Sequence, residues 1–341
     1  MREMRESGVE WLAEIPTTWD LVQLGSLFSE HKHKNAGLQS ENLLSLSYGN
    51  IIRKDINTSD GLLPESFEGY NVIDDGDIVL RLTDLQNDQR SLRVGLSHER
   101  GIVTSAYVTL RKRSEAINSK FYYYLIHSYD VRKGFYGMGA GVRQGLNYAG
   151  CKKIMLTLPP TDEQESIVAV LDEKTAKVDA LIANVQAQIE KLKAYKQSLI
   201  TEIVTKGLDP SVPMKDSGVE WIGAIPTIWH TQKMKYISNF IQNKYSSDYG
   251  LLPYIGLENI ASWSGSFIST NSQYDREQSL ICEPEDILFG KLRPYLAKVY
   301  MNDRLCCCSN EFAVIRVNGQ NKRYMWYQLL SHGFIFEIDR S

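Results

Sequence analysis

The sequence predicts a mixed α/β protein in which two related globular domains are joined by one long helix. Three observations support this prediction: a motif that occurs twice, a long stretch with a heptad repeat, and short strand-like runs separated by turn signals. The 341 residues include 38 basic and 41 acidic side chains, which gives a formal net charge of −3. This balance excludes a uniformly basic nucleic-acid coat. It permits a local basic groove, because net charge averages over the whole surface.

An internal repeat organises the chain. Residues 7–19 and 217–229 are identical at nine of thirteen positions, at a constant offset of 210 residues. Weaker similarity follows in the same order, pairing residues 77–80 with 286–289, 107–111 with 312–316, and 118–124 with 321–327. The period is too long for a solenoid, so we predict a domain duplication. In this alignment the second copy reaches only as far as Ser341. We therefore expect a truncated second domain, with its second helix absent.

A long helix is predicted between the two copies. Residues 161–206 contain neither Gly nor Pro, and Gly207 follows as a helix-terminating residue. Thr161 with Gln164 fits a capping box at the start. Apolar residues recur every seven positions, at Leu171, Val178, Val185, Leu192 and Leu199. Five heptads in register predict a coiled-coil seam, for which a second copy of the chain is the candidate partner.

The predicted organisation has four segments, which are a first domain at residues 1–158, the helix at 159–207, a linker at 208–216 and the incomplete second domain at 217–341. No stretch approaches the roughly 18 consecutive apolar residues of a membrane span, and the first residues lack a secretory pattern. We therefore expect a cytoplasmic protein. Five cysteines are too few for a disulfide scaffold, and we expect the three consecutive ones, 306–308, to be ordinary strand residues.

The sequence carries no recognisable catalytic motif. It contains no phosphate-binding G-x-x-x-x-G-K-[ST] loop, no G-x-S-x-G nucleophile elbow and no H-E-x-x-H zinc motif. His31 and His33 offer two imidazoles on one strand, and two ligands do not make a metal site. We therefore predict no enzymatic activity, no cofactor and no metal.

Basic side chains cluster in two stretches of the first domain. Residues 81–113 contain seven Lys or Arg against three acidic residues, and residues 131–153 contain five against none. Arg commonly reads guanine, Asn and Gln read adenine, and cations near phosphates set affinity. DNA binding is one interpretation of these stretches. The other is that exposed loops are polar in any protein.

Several motifs, in order along the chain, together resemble the DNA-specificity subunit of Type I restriction–modification systems. They are the two copies of SGVEW-x3-IP-x2-W and residues 76–95, 141–174 and 285–299. The resemblance implies two target-recognition domains, each reading one half of a split site in double-stranded DNA. It also implies spacer helices that dock two adenine methyltransferase subunits, which use S-adenosylmethionine, and an ATP-driven restriction subunit that joins them. The specificity subunit itself is non-catalytic.

The resemblance and the basic stretches together select candidate DNA contacts. In the second domain, Lys291 and Arg293 lie in a stretch that matches the family pattern K-[IL]-R-P-Y-L. In the first domain the candidates are Arg81, Asn87, Arg90 and Arg93, together with Arg143 and Gln144 on the loop before the helix. The same residues would equally serve to brace the fold.

Two functions stay open on the sequence alone. The chain is either a truncated specificity subunit that reads DNA and docks partner subunits, or an assembly or interference protein. In the second case it binds partner subunits through the helix but does not read DNA. The net charge of −3 and the expected incomplete second domain motivate this alternative.

Overall fold

The computed structural model describes residues 2–56, 64, 66–88, 90–138, 145–270, 276 and 278–340. The chain divides into two compact units, unit 1 (Met1–Ala180) and unit 2 (Leu181–Ser341). The division falls inside the long helix, and the predicted domain boundaries stay predictions. Both units combine short strands with helices, and one long helix is present. The predicted mixed α/β class is therefore confirmed.

Unit 1 is built on a four-stranded antiparallel sheet. The strands of the whole unit are β1 (Met4–Glu6), β2 (Glu14–Pro16), β3 (Asp20–Gln23), β4 (Phe28–Glu30), β5 (Leu44–Ser47), β6 (Asn50–Arg53), β7 (Asn71–Ile73), β8 (Ile78–Leu80), β9 (Val94–Leu96), β10 (Gly101–Val103), β11 (Val108–Lys112) and β12 (Met155–Leu158). Its helices are α1 (Leu24–Leu27), α2 (Ser119–Val131), α3 (Tyr148–Cys151) and the first part of α4 (Thr161–Lys206). The central sheet has the order β4-β11-β8-β9, and β3 pairs with β12 beside it.

Helix α2 supplies much of the core of unit 1. Asn118 caps it, because its side-chain oxygen accepts the N–H groups of Lys120 and Phe121. The buried Tyr122 ring packs edge-on against Phe28 of the central sheet, with ring centroids 5.5 Å apart. Its hydroxyl donates to the Thr157 carbonyl at 3.1 Å, which ties the helix to β12.

Unit 2 repeats this plan. Its strands are β13 (Met214–Asp216), β14 (Ala224–Pro226), β15 (Ser238–Ile241), β16 (Tyr254–Ile255), β17 (Leu280–Cys282), β18 (Ile287–Gly290), β19 (Val299–Met301), β20 (Cys306–Cys308) and β21 (Phe312–Val317). The last part of α4 is followed in this unit by α5 (Lys322–Leu329) and α6 (His332–Arg340). The central sheet has the order β15-β21-β18-β19 and is antiparallel throughout. This order matches that of unit 1 strand for strand, as a duplication requires.

An ion pair between a buried aspartate and a partly exposed arginine recurs at the same place in both sheets. In unit 1, Asp77 accepts the N–H of Asp74 at 2.9 Å and pairs with Arg111 of β11 at 2.5 Å. In unit 2, Asp286 accepts the N–H of Glu283 at 2.8 Å and pairs with a β21 guanidinium, that of Arg316, also at 2.8 Å. Both aspartates directly precede a central strand. The faint sequence similarity between the halves therefore includes a shared structural element.

Aromatic contacts also repeat. Trp19 meets Phe121 edge-on with centroids 6.5 Å apart, and Trp229 meets Tyr324 in the same way at 6.3 Å. The surroundings differ beyond this contact. Residues 230–233, which correspond to β3, pair with no described strand and border a cavity of about 830 Å³.

Helix α4 has the predicted bounds but lacks the predicted capping box. Gly207 adopts a left-handed φ of 79° and donates its N–H to the Ile203 carbonyl at 3.0 Å, as a helix-ending glycine does. The predicted capping box is wrong. The buried Gln164 side chain instead accepts the N–H of Asn118 at 3.0 Å and donates to the Pro159 carbonyl at 2.9 Å. The helix is 46 residues long, about 69 Å at the standard rise.

All five cysteines are buried free thiols, and three of them form β20. Strand β20 pairs with both β16 and β17, and Cys282 of β17 places its Sγ 3.1 Å from that of Cys308. Of the helices in the described ranges, none combines the length and the apolar character that crossing a membrane requires.

We predict that Asp77→Ala destabilises the protein by about 2 kcal/mol, because Arg111 and the Asp74 amide lose a buried acceptor. The measurement is urea unfolding followed by circular dichroism. Asp75→Ala is the matched control, because Asp75 is an exposed neighbour on the same turn and its loss changes stability by no more than about 0.5 kcal/mol. Equal effects of the two substitutions would contradict the importance of the ion pair.

Candidate nucleic-acid interface and helix surface

Two equivalent hairpin loops carry most of the predicted DNA contacts. The first hairpin loop, residues 81–93, joins β8 to β9, and the second hairpin loop, residues 291–298, joins β18 to β19. An equivalent backbone hydrogen bond closes the base of each loop. The Arg81 N–H donates to the Arg93 carbonyl in the first and the Gly290 N–H donates to the Lys298 carbonyl in the second, each at 2.9 Å. The structure therefore places the candidates of the two units on the same part of the fold. Six residues lie there: Arg81, Asn87, Arg90, Arg93, Lys291 and Arg293.

The first hairpin loop exposes two of its candidates. Asn87 is exposed and donates its side-chain amide to Asp84 Oδ1 at 2.8 Å. Arg90 is exposed and forms no ion pair within the described ranges. Arg81 is partly buried and lies 3.7 Å from the Asp88 carboxylate. Among the described candidates of this loop, Arg90 is thus the cation most open to a phosphate or a base.

Asp88 is held ionised by the turn that it forms. The hydroxyl and then the amide of Ser91 hydrogen-bond to its carboxylate and lower its pKa to about 2. The Asp88 carboxylate lies close enough to Arg81 to offset part of its charge. It also fixes the shape of the turn around Arg90.

The second hairpin loop is shorter and more cationic. Lys291 and Arg293 are exposed, and neither forms an ion pair with a carboxylate of the described ranges. Arg293 has a left-handed φ of 50° and precedes a 3-10 turn at Pro294–Leu296. This backbone conformation is unfavourable for a residue with a side chain, by roughly 1 kcal/mol. The fold therefore holds Arg293 at a defined place at the loop tip.

The prediction that Arg93 contacts DNA needs correction. Its side chain is 0% exposed, and its guanidinium is surrounded by carbonyl groups of its own loop. The sequence favoured Arg93 as a DNA contact because it lies in a basic stretch. Its position directly before Val94, which is buried, was the one indication that its own side chain could be buried. The other two candidates of unit 1, Arg143 and Gln144, lie outside the described residues.

One cluster of unit 1 resembles a metal site in composition. His31, Asp74 and Asp77 bring ligand atoms within 4.8 Å of one another. Arg111 donates to both carboxylates, however, at 2.7 and 2.5 Å. Burial, and then the Arg111 charge, lowers the pKa of His31. The guanidinium occupies the place of a cation, so the cluster is a structural ion pair.

The predicted helix seam lies on an exposed face of α4. Every residue from 173 to 196 is exposed, and only Leu171 of the predicted seam is partly buried. The seam side chains include Val178, 53% exposed, and Leu192, 66% exposed. Intervening apolar residues widen the seam into a stripe that consists of Val178, Leu181, Ile182, Val185, Ile189, Leu192, Tyr195, Leu199 and Ile203. Such a contiguous apolar surface is typical of a partner-binding face.

The structure thus combines duplicated α/β units that carry cationic hairpin loops with a long helix that carries an apolar stripe. The sequence matches the family described as the Type I restriction modification DNA specificity domain over residues 16–191, slightly more than half of the chain. The chain belongs to this family. The predicted family is therefore confirmed.

One named relative and solved structures are similar to this chain. A type I restriction enzyme specificity subunit of Methanocaldococcus jannaschii, MjaX, is 27% identical over 195 residues, which cover 54% of this chain and 44% of that relative. The match thus spans less than half of the relative's length. The crystal structure of the HsdS subunit from Thermoanaerobacter tengcongensis has a TM-score of 0.51 at 16% identity, covering 96% of this chain and 82% of that one. A structure reported for assembly and conformational transition of the type I R-M system has a TM-score of 0.57 at 18% identity, with the same coverage.

The carboxyl group beneath the first hairpin loop gives a pH-dependent prediction. The Asp130 side chain is buried, its Oδ2 accepts the Arg93 backbone N–H at 2.6 Å, and its Oδ1 has no described hydrogen-bond partner. Burial raises the pKa of this carboxyl. The ordinary pKa of such a carboxyl is about 4. When the pKa is raised in the folded state, the free energy of unfolding falls as the pH rises above that ordinary value. Asp130→Asn should therefore gain stability relative to wild type between about pH 4 and about pH 8.

The measurement is urea unfolding at both pH values. Asp130→Ala is the control, because it also cannot ionise but loses the acceptor for the Arg93 amide. It should show the same pH trend, displaced downward by about 1 to 2 kcal/mol for the lost hydrogen bond. A difference between Asp130→Asn and wild type that does not change with pH would refute the prediction.

Proposed function

We propose that the chain reads a split target in double-stranded DNA, with one hairpin loop addressing each half-site. The observation that carries this proposal is the equivalent location of the two loops, each with exposed cations. Arg90 on the first loop, and Lys291 and Arg293 on the second, have side chains open to solvent. Phosphate contacts from such cations position a protein on DNA, and side chains like Asn87 read base edges.

We further propose that the chain docks adenine methyltransferase subunits, and through them a restriction subunit. This proposal rests on membership of the specificity family. The methyltransferases would bring S-adenosylmethionine and the restriction subunit ATP, so this chain would supply recognition and no cofactor. We expect the complex to act in the cytoplasm. Co-purification of tagged chain with the methyltransferase subunits of its own system tests the docking.

The apolar stripe of α4 supports pairing with another helix, and we propose that the partner is a second copy of this chain. The stripe follows a seven-residue repeat from Val178 to Leu199. Ile182, Ile189 and Ile203 of the stripe belong to a second seven-residue series, in which Lys196 occupies the position between Ile189 and Ile203. A polar residue at a single seam position specifies the register and number of helices in coiled coils. This surface is independent of the DNA loops, so it equally favours the alternative, a protein that assembles with partner subunits without reading DNA.

Removing an exposed loop cation should weaken DNA binding in a salt-dependent way. We predict that Arg90→Ala and Lys291→Ala each reduce the slope of log affinity against log salt by about 0.9, the value for one phosphate contact. The measurement is fluorescence anisotropy with a random-sequence duplex at several salt concentrations. Lys54→Ala is the control, because Lys54 is an exposed cation of unit 1 outside the loop. Unchanged slopes for both loop variants would refute the proposed DNA face.

Charge on the stripe should abolish helix pairing. We predict that Val185→Lys converts a wild-type dimer into a monomer, because it places a charge in the centre of the seam. The measurement is solution mass by light scattering. Ala187→Lys is the matched control, because it adds the same charge to the same exposed segment, two residues away and off the stripe. A wild-type monomer would refute self-pairing, and retention of methyltransferase subunits by that monomer would favour partner docking instead.

A further inference from the structure

The Arg93 guanidinium is fully bonded inside the first hairpin loop. Its Nε donates to the Tyr136 hydroxyl at 3.1 Å. One terminal nitrogen donates to the carbonyls of Arg81 and Thr83 at 3.2 and 2.8 Å, and the other to those of Asp84, at 3.3 Å, and Asp88. A guanidinium has five N–H donors, and here each has an acceptor.

The acceptors explain what this buried charge does. Four of the five are backbone carbonyls between residues 81 and 88, so the loop wraps around one side chain. The Tyr136 ring lies 5.1 Å from the guanidinium carbon and its hydroxyl donates to the Asp88 carbonyl at 3.2 Å. Loss of this buried guanidinium would remove the donor that four partly buried carbonyls share, so the loop conformation depends on this one residue.

We propose that Arg93 is a positioning residue that sets the shape of the first hairpin loop before DNA arrives. This inference rests on the proposed function, because it assigns Arg93 a role in presenting Asn87 and Arg90. A loop that is ordered in advance loses less entropy on binding and presents its side chains in one arrangement. Arg93 therefore affects which sequence is preferred without touching the DNA.

The corresponding residue of unit 2 is anchored elsewhere. Lys298 closes the second hairpin as Arg93 closes the first, but its ammonium donates to the Leu257 carbonyl at 2.6 Å, outside its own loop. The two units thus share a frame and differ in how each loop is fixed. A guanidinium with five donors suits a loop that folds back on itself, and an ammonium is a compact point donor.

The test compares Arg93→Lys and Tyr136→Phe with two controls in the full 341-residue chain. Arg93→Lys keeps the charge but has three donors for five acceptors. Tyr136→Phe removes one acceptor and is the second variant should Arg93→Lys fail to fold. Arg113→Lys is the matched control, because Arg113 also donates to a backbone carbonyl, that of Gly25 at 3.0 Å, outside the loop. Arg90→Ala serves as the direct-contact control.

Two readouts separate the possible roles. Hydrogen exchange of residues 82–92 reports the order of the loop, and selection from a random duplex library reports sequence preference. We expect Arg93→Lys to accelerate loop exchange and to lower the preference for the selected sequence by about tenfold, with the salt slope unchanged. Arg90→Ala should lower the salt slope, and Arg113→Lys should change neither readout.

Different failures have different meanings. If wild type selects no sequence, the proposed DNA function is overturned, and the inference about Arg93 falls with it. If wild type selects a sequence and Arg93→Lys leaves exchange and preference unchanged, only the role of Arg93 is overturned. A salt slope lowered by about one in Arg93→Lys would also overturn it, because that is the signature of a direct phosphate contact. If Arg93→Lys accelerates hydrogen exchange throughout unit 1 and leaves the sequence preference normal, Arg93 stabilises the core of the unit and does not position the loop.

Discussion

One buried carboxylate in each unit holds the hairpin that presents the candidate DNA contacts. Asp77 closes the turn before β8 and pairs with Arg111 on the neighbouring strand β11. Asp286 and Arg316 do the same between β18 and β21. Removing the arginine from such a pair would leave a buried carboxylate without its counter-charge, so the arrangement tolerates little change. The strand that leads into each loop is therefore fixed in direction, while the loop itself is free to differ.

The frame is duplicated, and the loops are individually anchored. The first loop surrounds Arg93, whereas the second relies on the Lys298 contact with Leu257 and on the left-handed backbone at Arg293. Fixing loops by separate means lets one unit change its loop without disturbing the sheet beneath it. Functional residues on loops over a rigid scaffold are a general solution to this requirement.

Sequence reasoning succeeded where the signal is local. Helix α4 has the predicted bounds because the absence of Gly and Pro, followed by Gly207, acts within a few residues. The repeat of residues 7–19 was visible because the aromatic and Pro residues that fix that segment recur unchanged. Both features depend on side chains close in sequence.

Sequence reasoning failed where groups distant in the sequence hydrogen-bond to the same side chain. Gln164 was expected to cap its own helix, but Asn118, 46 residues earlier, captures its oxygen. Arg93 was expected at the surface because it lies in a cationic stretch, and five acceptors from its loop and from Tyr136 bury it. No propensity or spacing rule reports such three-dimensional convergence.

The buried free thiols can report local opening of the protein through their reaction with alkylating reagents. Four of the five cysteines lie in unit 2, around β17 and β20, and Cys151 alone lies in unit 1. Burial raises the pKa of Cys151 to about 12 and raises that of Cys307, which suppresses the reactive thiolate. An alkylating reagent must therefore wait for a local opening to reach a sulfur. Mass analysis of the peptide that carries Cys151 and of those that carry the unit 2 cysteines would thus time the opening of each unit separately, without any engineered label.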